Sequence, residues 1–164
     1  MTRREKKGRE EAAQSVTGRV GAGEQAASGR RRFMEIGGTI AAQKSPFAAQ
    51  GVDIGWAHNG TINVDIAPYA FVGAIPTHKL SAVQWLPGGP PESFDLYACS
   101  IAFGESNFDA MIYRPDQGTK HLFGSPPKPP TLCEVLAPFI RGLSYGAVVR
   151  LELTPECGGF HWRA

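Results

Sequence analysis

Two placements of cysteine in this chain could carry chemistry. Cys157 and His161 stand four positions apart near the end of the sequence, with three residues between them, and a soft thiolate beside an imidazole suits copper or zinc. Cys133 lies within Thr131-Leu132-Cys133-Glu134, which has the form of a capping box. At a helix N-terminus its thiol pKa would fall and make it a nucleophile. Both schemes need partners. Further metal ligands would have to come from His58, His78 or His121, and none of these forms a second closely spaced pair with a cysteine. A cysteine nucleophile needs a histidine within hydrogen-bond reach and a third group to orient it. The carboxylates Asp53, Asp65, Asp95, Glu105 and Asp109 are scattered, as in any chain, and define no acid–base pair. Phosphate-cradling, dinucleotide-binding and nucleophile-elbow motifs do not occur. The sequence therefore assigns no catalytic residue, no metal ligand and no cofactor.

Charge divides the chain more sharply than any motif. Residues 1–32 hold nine basic and four acidic residues and no aromatic one, a net charge of +5. The remainder holds eight basic and eleven acidic residues, a net charge of −3, and every Trp, Tyr and Phe. This predicts a disordered basic arm over 1–32 and a single β-rich globular domain over 33–164. The clusters Arg3–Arg9 and Arg30, Arg31 and Arg32 could neutralise phosphates, although Glu5, Glu10 and Glu11 dilute the first and no aromatic interleaves for base stacking. Arg30-Arg31-Arg32-Phe33-Met34 also resembles a twin-arginine export signal, but the uncharged stretch from Ile36 to Gln43 is short. No apolar run approaches the roughly 18 residues of a membrane-spanning helix. Three cysteines at no framework spacing point to free thiols and a reducing, cytoplasmic setting, with export as the alternative.

The elements that must position these residues are short. With 20 Gly and 13 Pro, turns are frequent. Asn59-Gly60 has type I′ turn chemistry, and Ile62, Val64 and Ile66 alternate with polar residues beyond it. Together they predict a β-hairpin over 53–66, with Trp56, His58 and Asn63 on one face. Further strands are expected at Phe33–Ala41, Tyr69–Ile75, Ser81–Leu86, Phe94–Phe103, Ala110–Arg114, Thr119–Phe123 and Ala147–Leu153, with a second hairpin turning at Arg114–Gly118. Pro126-Pro127-Lys128-Pro129-Pro130 predicts a stiff polyproline connector. After the capping box, Leu132, Val135, Leu136, Phe139, Ile140 and Leu143 fall on one helical stripe, predicting a helix over about 131–142 that Pro138 must kink.

The expected fold is mainly β or α+β: an antiparallel sheet or two-layer sandwich of short strands with one C-terminal helix. The expected function is a small non-enzymatic binding module acting on another protein, the profile of inhibitor or immunity-type proteins. Trp56, His58 and Asn63 would form the surface, since a tryptophan with polar neighbours is a typical interface anchor. The second expectation is a nucleic-acid-associated β-sandwich using Arg30, Arg31 and Arg32 of the arm, a layout similar to small jelly-roll coat proteins. The third is a small enzyme or metal protein, exported or not.

Overall fold

The computed structural model describes residues 12–22, 39–116 and 128–163. Among them are nine β-strands and one α-helix. The strands are β1 (Ser15–Gly21), β2 (Ile62–Asp65), β3 (Tyr69–Gly73), β4 (His78–Val83), β5 (Glu92–Phe103), β6 (Ser106–Pro115), β7 (Leu132–Leu136), β8 (Val148–Leu153) and β9 (Gly158–Trp162); the helix is α1 (Thr39–Ala49). The fold is mainly β, as the turn-rich, alternating sequence implies.

Seven strands form one antiparallel sheet in the order β4-β5-β6-β7-β2-β1-β8, and β8 returns to pair with β5. Six strands thereby close into a barrel, which removes their edges. The long β5 makes closure possible. Its first half, Glu92–Leu96, pairs with β4, and Cys99–Ala102 on the same edge pairs with β8. β4 remains as an edge strand, blunted by an irregularity between Leu80 and Val83 and by Ala82 at φ 50°. The Gln50 side-chain amide also donates to the Ser81 carbonyl at 3.0 Å.

The register sorts side chains into two cores. Val16 and Val20 of β1, Val64 of β2, Cys99 and Ile101 of β5, Ala110 and Ile112 of β6, Cys133 and Val135 of β7, and Val149, Leu151 and Leu153 of β8 pack together inside the barrel. Gly18 shares this inward face. A Cβ there would lie 2.5 Å from Val64 Cγ1 and 2.7 Å from the Asp65 carbonyl, so glycine lets β1 and β2 approach closely. The opposite faces of β5, β6 and β7 contribute Phe94, Leu96, Tyr113 and Leu136 to the second core, under α1. Helix α1 buries Ile40, Gln43 and Phe47, a one-face spacing, and the Tyr113 hydroxyl donates to Gln43 Oε1 at 2.9 Å. Its C-terminus closes with Gly51 at φ 85°; the Gly51 amide donates to Ala48 O at 2.9 Å and the Val52 amide to Phe47 O at 3.0 Å. That is a Schellman cap with Val52 and Phe47 in apolar contact.

Four expectations are corrected. Residues 131–142 are not a helix: β7 occupies Leu132–Leu136, held between β6 and β2. The strand is buried on both faces, Cys133 and Val135 inward and Leu136 under α1, so its run of apolar residues hides the period-two pattern. The helix lies at Thr39–Ala49, where a strand reaching Ala41 was expected. The 53–66 hairpin does not form. Ile62, Val64 and Ile66 alternate as anticipated, yet β2 pairs with β1 and β7, and Asn59-Gly60 is a bend in a loop. Finally, the arm contains β1, so residues 15–21 are ordered as a barrel strand and the fold begins before residue 33. The remaining arm residues 1–11 and 23–32, the strand at Thr119–Phe123 and the hairpin turn beyond Asp116 lie outside the described residues. The hairpin that forms joins β5 to β6 through Gly104 at φ 59°.

Candidate binding surface

Strand direction defines two barrel ends. At the first end, β1, β5 and β7 finish and β2, β6 and β8 begin. The segments 51–61 and 137–147 meet there. The first is a chain of local hydrogen bonds. Asp53 Oδ1 accepts from the Gly55 amide at 2.7 Å, Trp56 Nε1 donates to the Asp53 carbonyl at 3.0 Å, and the Ala57 amide donates to Ile54 O at 3.0 Å. Ile54 and Ala57 are buried in the core beneath α1, and Lys44 Nζ donates to the Ala57 carbonyl at 2.7 Å. The loop is therefore fixed to the body at its centre.

The second segment crosses the barrel mouth. Ile140 is buried and Leu143 packs beside it on the barrel core. The Val20 amide donates to Ala147 O at 2.9 Å, the Gly146 amide to Val20 O at 2.7 Å, and Arg19 Nη1 to Gly146 O at 3.2 Å. The two segments join where the His58 amide donates to Ala137 O at 2.9 Å and the His58 ring lies 5.6 Å from Phe139 at 59°. Held on this frame, large apolar groups face outward: Phe139 is 71% exposed, Tyr145 56%, Val148 49% and Trp56 40%. A fixed rim of exposed aromatics can bind an apolar partner with little loss of side-chain freedom.

Trp56 and His58 both belong to this rim. Asn63 does not share their face as a hairpin would have required. It lies on the outer face of β2, opposite Gly21 and Glu134. There it is 7% exposed and its Oδ1 has no hydrogen-bond partner among the described residues. Next to it Thr61 Oγ1 donates to Glu134 Oε1 at 3.2 Å and Lys128 Nζ lies 2.7 Å from the same oxygen. Asn63 thus belongs to a covered polar layer rather than to a free surface. Arg30, Arg31 and Arg32 lie outside the described residues. Phe139 was missed because residues up to 142 were assigned to a helix, and Pro138 and Gly142, which interrupt that helix, were the signal for a loop; Tyr145, between that helix and the strand expected from Ala147, was not singled out.

The cysteines are placed against chemistry. Cys133 sits inside the barrel on β7, where burial pushes its thiol up to about 12, the Arg114 charge opposing weakly. Burial likewise pushes Cys99 up to about 12. Neither is a thiolate near neutral pH. Cys157 is buried with Thr77 Oγ1 3.3 Å from its Sγ, whereas His161 is exposed on β9, so the two do not converge on one environment. Among the described residues no three His, Cys, Asp or Glu side chains gather as metal ligands would. No helix among them is long and apolar enough to cross a membrane. No protein-family model matches the chain, and no curated protein matches it.

Proposed function

We propose that this protein is a non-enzymatic binding module that engages another protein through the rim formed by Trp56, His58, Phe139 and Tyr145. The observation that carries the reading is the combination of exposure with fixation. Phe139 is 71% exposed, yet its segment is anchored by buried Ile140 below and by the His58–Ala137 hydrogen bond beside it. A partner would bring an apolar pocket or ridge to cover these rings, with Arg141 and Ser144 at the margin. The two buried, protonated thiols support a binding role over cysteine catalysis.

The experiment is affinity capture from an extract of the native host on immobilised full-length protein, beside Phe139→Ala and Trp56→Ala. Circular dichroism and Tm of each variant check that the fold is kept, with Phe139→Ala expected to match the parent and Trp56→Ala to lose some stability with the Trp56–Asp53 hydrogen bond. The expected result is one specific partner whose retention falls at least tenfold in each variant. A partner retained equally by both variants removes the rim from the interface. Nucleic acid retained in a salt-dependent manner by parent and variants alike favours the arm instead.

A further inference from the structure

At the second barrel end, β6 and β7 pair at only two positions, Met111 with Leu136 and Ile112 with Val135, and then part. The wedge between them is a cleft of about 60 Å³ whose lining includes Arg114, Lys128, Cys133 and Glu134. A wider groove of about 370 Å³ runs beside it past Lys79, Ser93, Asp95 and Asp116. Arg114 lines both.

The charges around Arg114 are largely spoken for. Lys128 Nζ lies 2.7 Å from Glu134, and Lys79 Nζ lies 3.4 Å from Asp95. Asp116 is partnered as well. Arg114 differs. It stands directly across from Asp95 in the β5–β6 register, close enough for a cross-strand ion pair. Its guanidinium instead lies 5.2 Å from the centroid of the Phe71 ring, close to the Tyr97 hydroxyl. No ion pair involves Arg114 among the described residues. Phe71 and Tyr97 are themselves packed edge to face at 4.9 Å and buried, so the guanidinium is steadied by two rigid groups. A guanidinium carries five donors in a planar fork, and the Tyr97 contact leaves donors unused.

We propose that this cleft is an oxyanion site, in which one carboxylate or phosphate group of a small ligand docks on the Arg114 fork between β6 and β7. The fork matches either group in a two-point contact. A volume of about 60 Å³ holds one such group and no more, so the rest of the ligand extends into the groove. There Asp95 and Asp116 repel a polyanion, which favours a singly charged carboxylate whose remainder is neutral or cationic.

The test is titration of full-length protein with acetate and, separately, with inorganic phosphate, at constant ionic strength, following the Arg114 side-chain Nε–H resonance and nearby backbone amides by NMR. Saturable movement of the Arg114 signal by acetate, at least tenfold weaker for the amides of Tyr113 and Cys133 in Arg114→Gln, supports the site. Tighter saturation by phosphate than by acetate assigns the group as phosphate. Unsaturating drift, or unchanged titration in Arg114→Gln, overturns the proposal. Arg114→Lys keeps the charge but loses the fork; it is expected to bind about tenfold more weakly, and equal binding would reduce the site to general charge attraction. None of these readouts depends on the aromatic rim at the other end.

Discussion

The two mouths of the barrel are closed by different devices, and they display different chemistry. At the first, a loop lays Ile140 and Leu143 over the core and leaves Phe139 and Tyr145 outside. At the second, the two-stranded β3–β9 sheet inserts Phe71 and Phe160, and the neighbouring cleft and groove are lined by ionic groups: Arg114, Lys79 with Asp95, Lys128 with Glu134. A loop closure alternates inward and outward groups irregularly, so large rings can be exposed beside buried ones. A paired-strand closure obeys the two-residue alternation, so Phe71 faces the core while its neighbour Val72 faces outward. Exposed apolar groups occur at both ends, Val72, Ile75 and Trp162 lying on the β3–β9 side, whereas the charged cleft belongs to the strand end alone.

Substitutions can break or sharpen this contrast. The largest effect is expected for Phe160→Ala, which empties the β3–β9 plug at a position 1% exposed and should cost about 3–5 kcal/mol in urea unfolding. Ile140→Ala at the loop end, 6% exposed, should cost about 2 kcal/mol, the lower end of the range for such truncations. Equal costs would mean that the two closures are energetically alike. Gly158→Ala comes next. Gly158 has φ 131°, and an added Cβ would collide with the Val72 carbonyl, so a loss on the order of 1–3 kcal/mol is expected, read from the shift in thermal midpoint.

Alkaline pH probes the barrel interior between the two ends. Cys99 and Cys133 hold their protons more tightly folded than unfolded, with the folded values pushed from 9.0 to about 12. Their contribution to stability is complete below pH 9 and is lost as pH rises towards 12. Urea midpoints should fall over that window in the parent and fall less in Cys99→Ala. A midpoint that stays flat from pH 9 to 11 would contradict the burial of these thiols. The smallest change in stability is expected for Phe139→Ala. A side chain 71% exposed should alter it by no more than about 0.5 kcal/mol, while partner capture is lost.

Much of the β architecture is legible in the residues. Tyr69–Ile75, Phe94–Phe103, Ala110–Arg114 and Ala147–Leu153 each overlap an observed strand, because one of their faces is apolar and the other polar or mixed. Trp56 and His58 were singled out through the register of a hairpin that does not form, and their exposure comes instead from the 51–61 loop. β1 was hidden by its outward Arg19 and by Gly18, which removes one apolar point from the alternation. Phe139 was hidden because a helical stripe and a buried strand followed by a loop share the same apolar spacing.

The sequence by itself determined an antiparallel, turn-rich β protein with free cysteines and no familiar catalytic motif. Its Asn59-Gly60 turn signal pointed to a hairpin over 53–66 that does not form, because the pair is a bend in a loop. Only the tertiary structure decided that β2 pairs with β1 and β7, that residues 132–136 are a strand, and that β8 meets β5 to close the barrel. The physical reason is range. Alternation and turn chemistry act over a few residues, whereas barrel closure pairs Ser100 with Glu152 and Val16 with Leu151, contacts whose free energy appears only when distant strands are brought together.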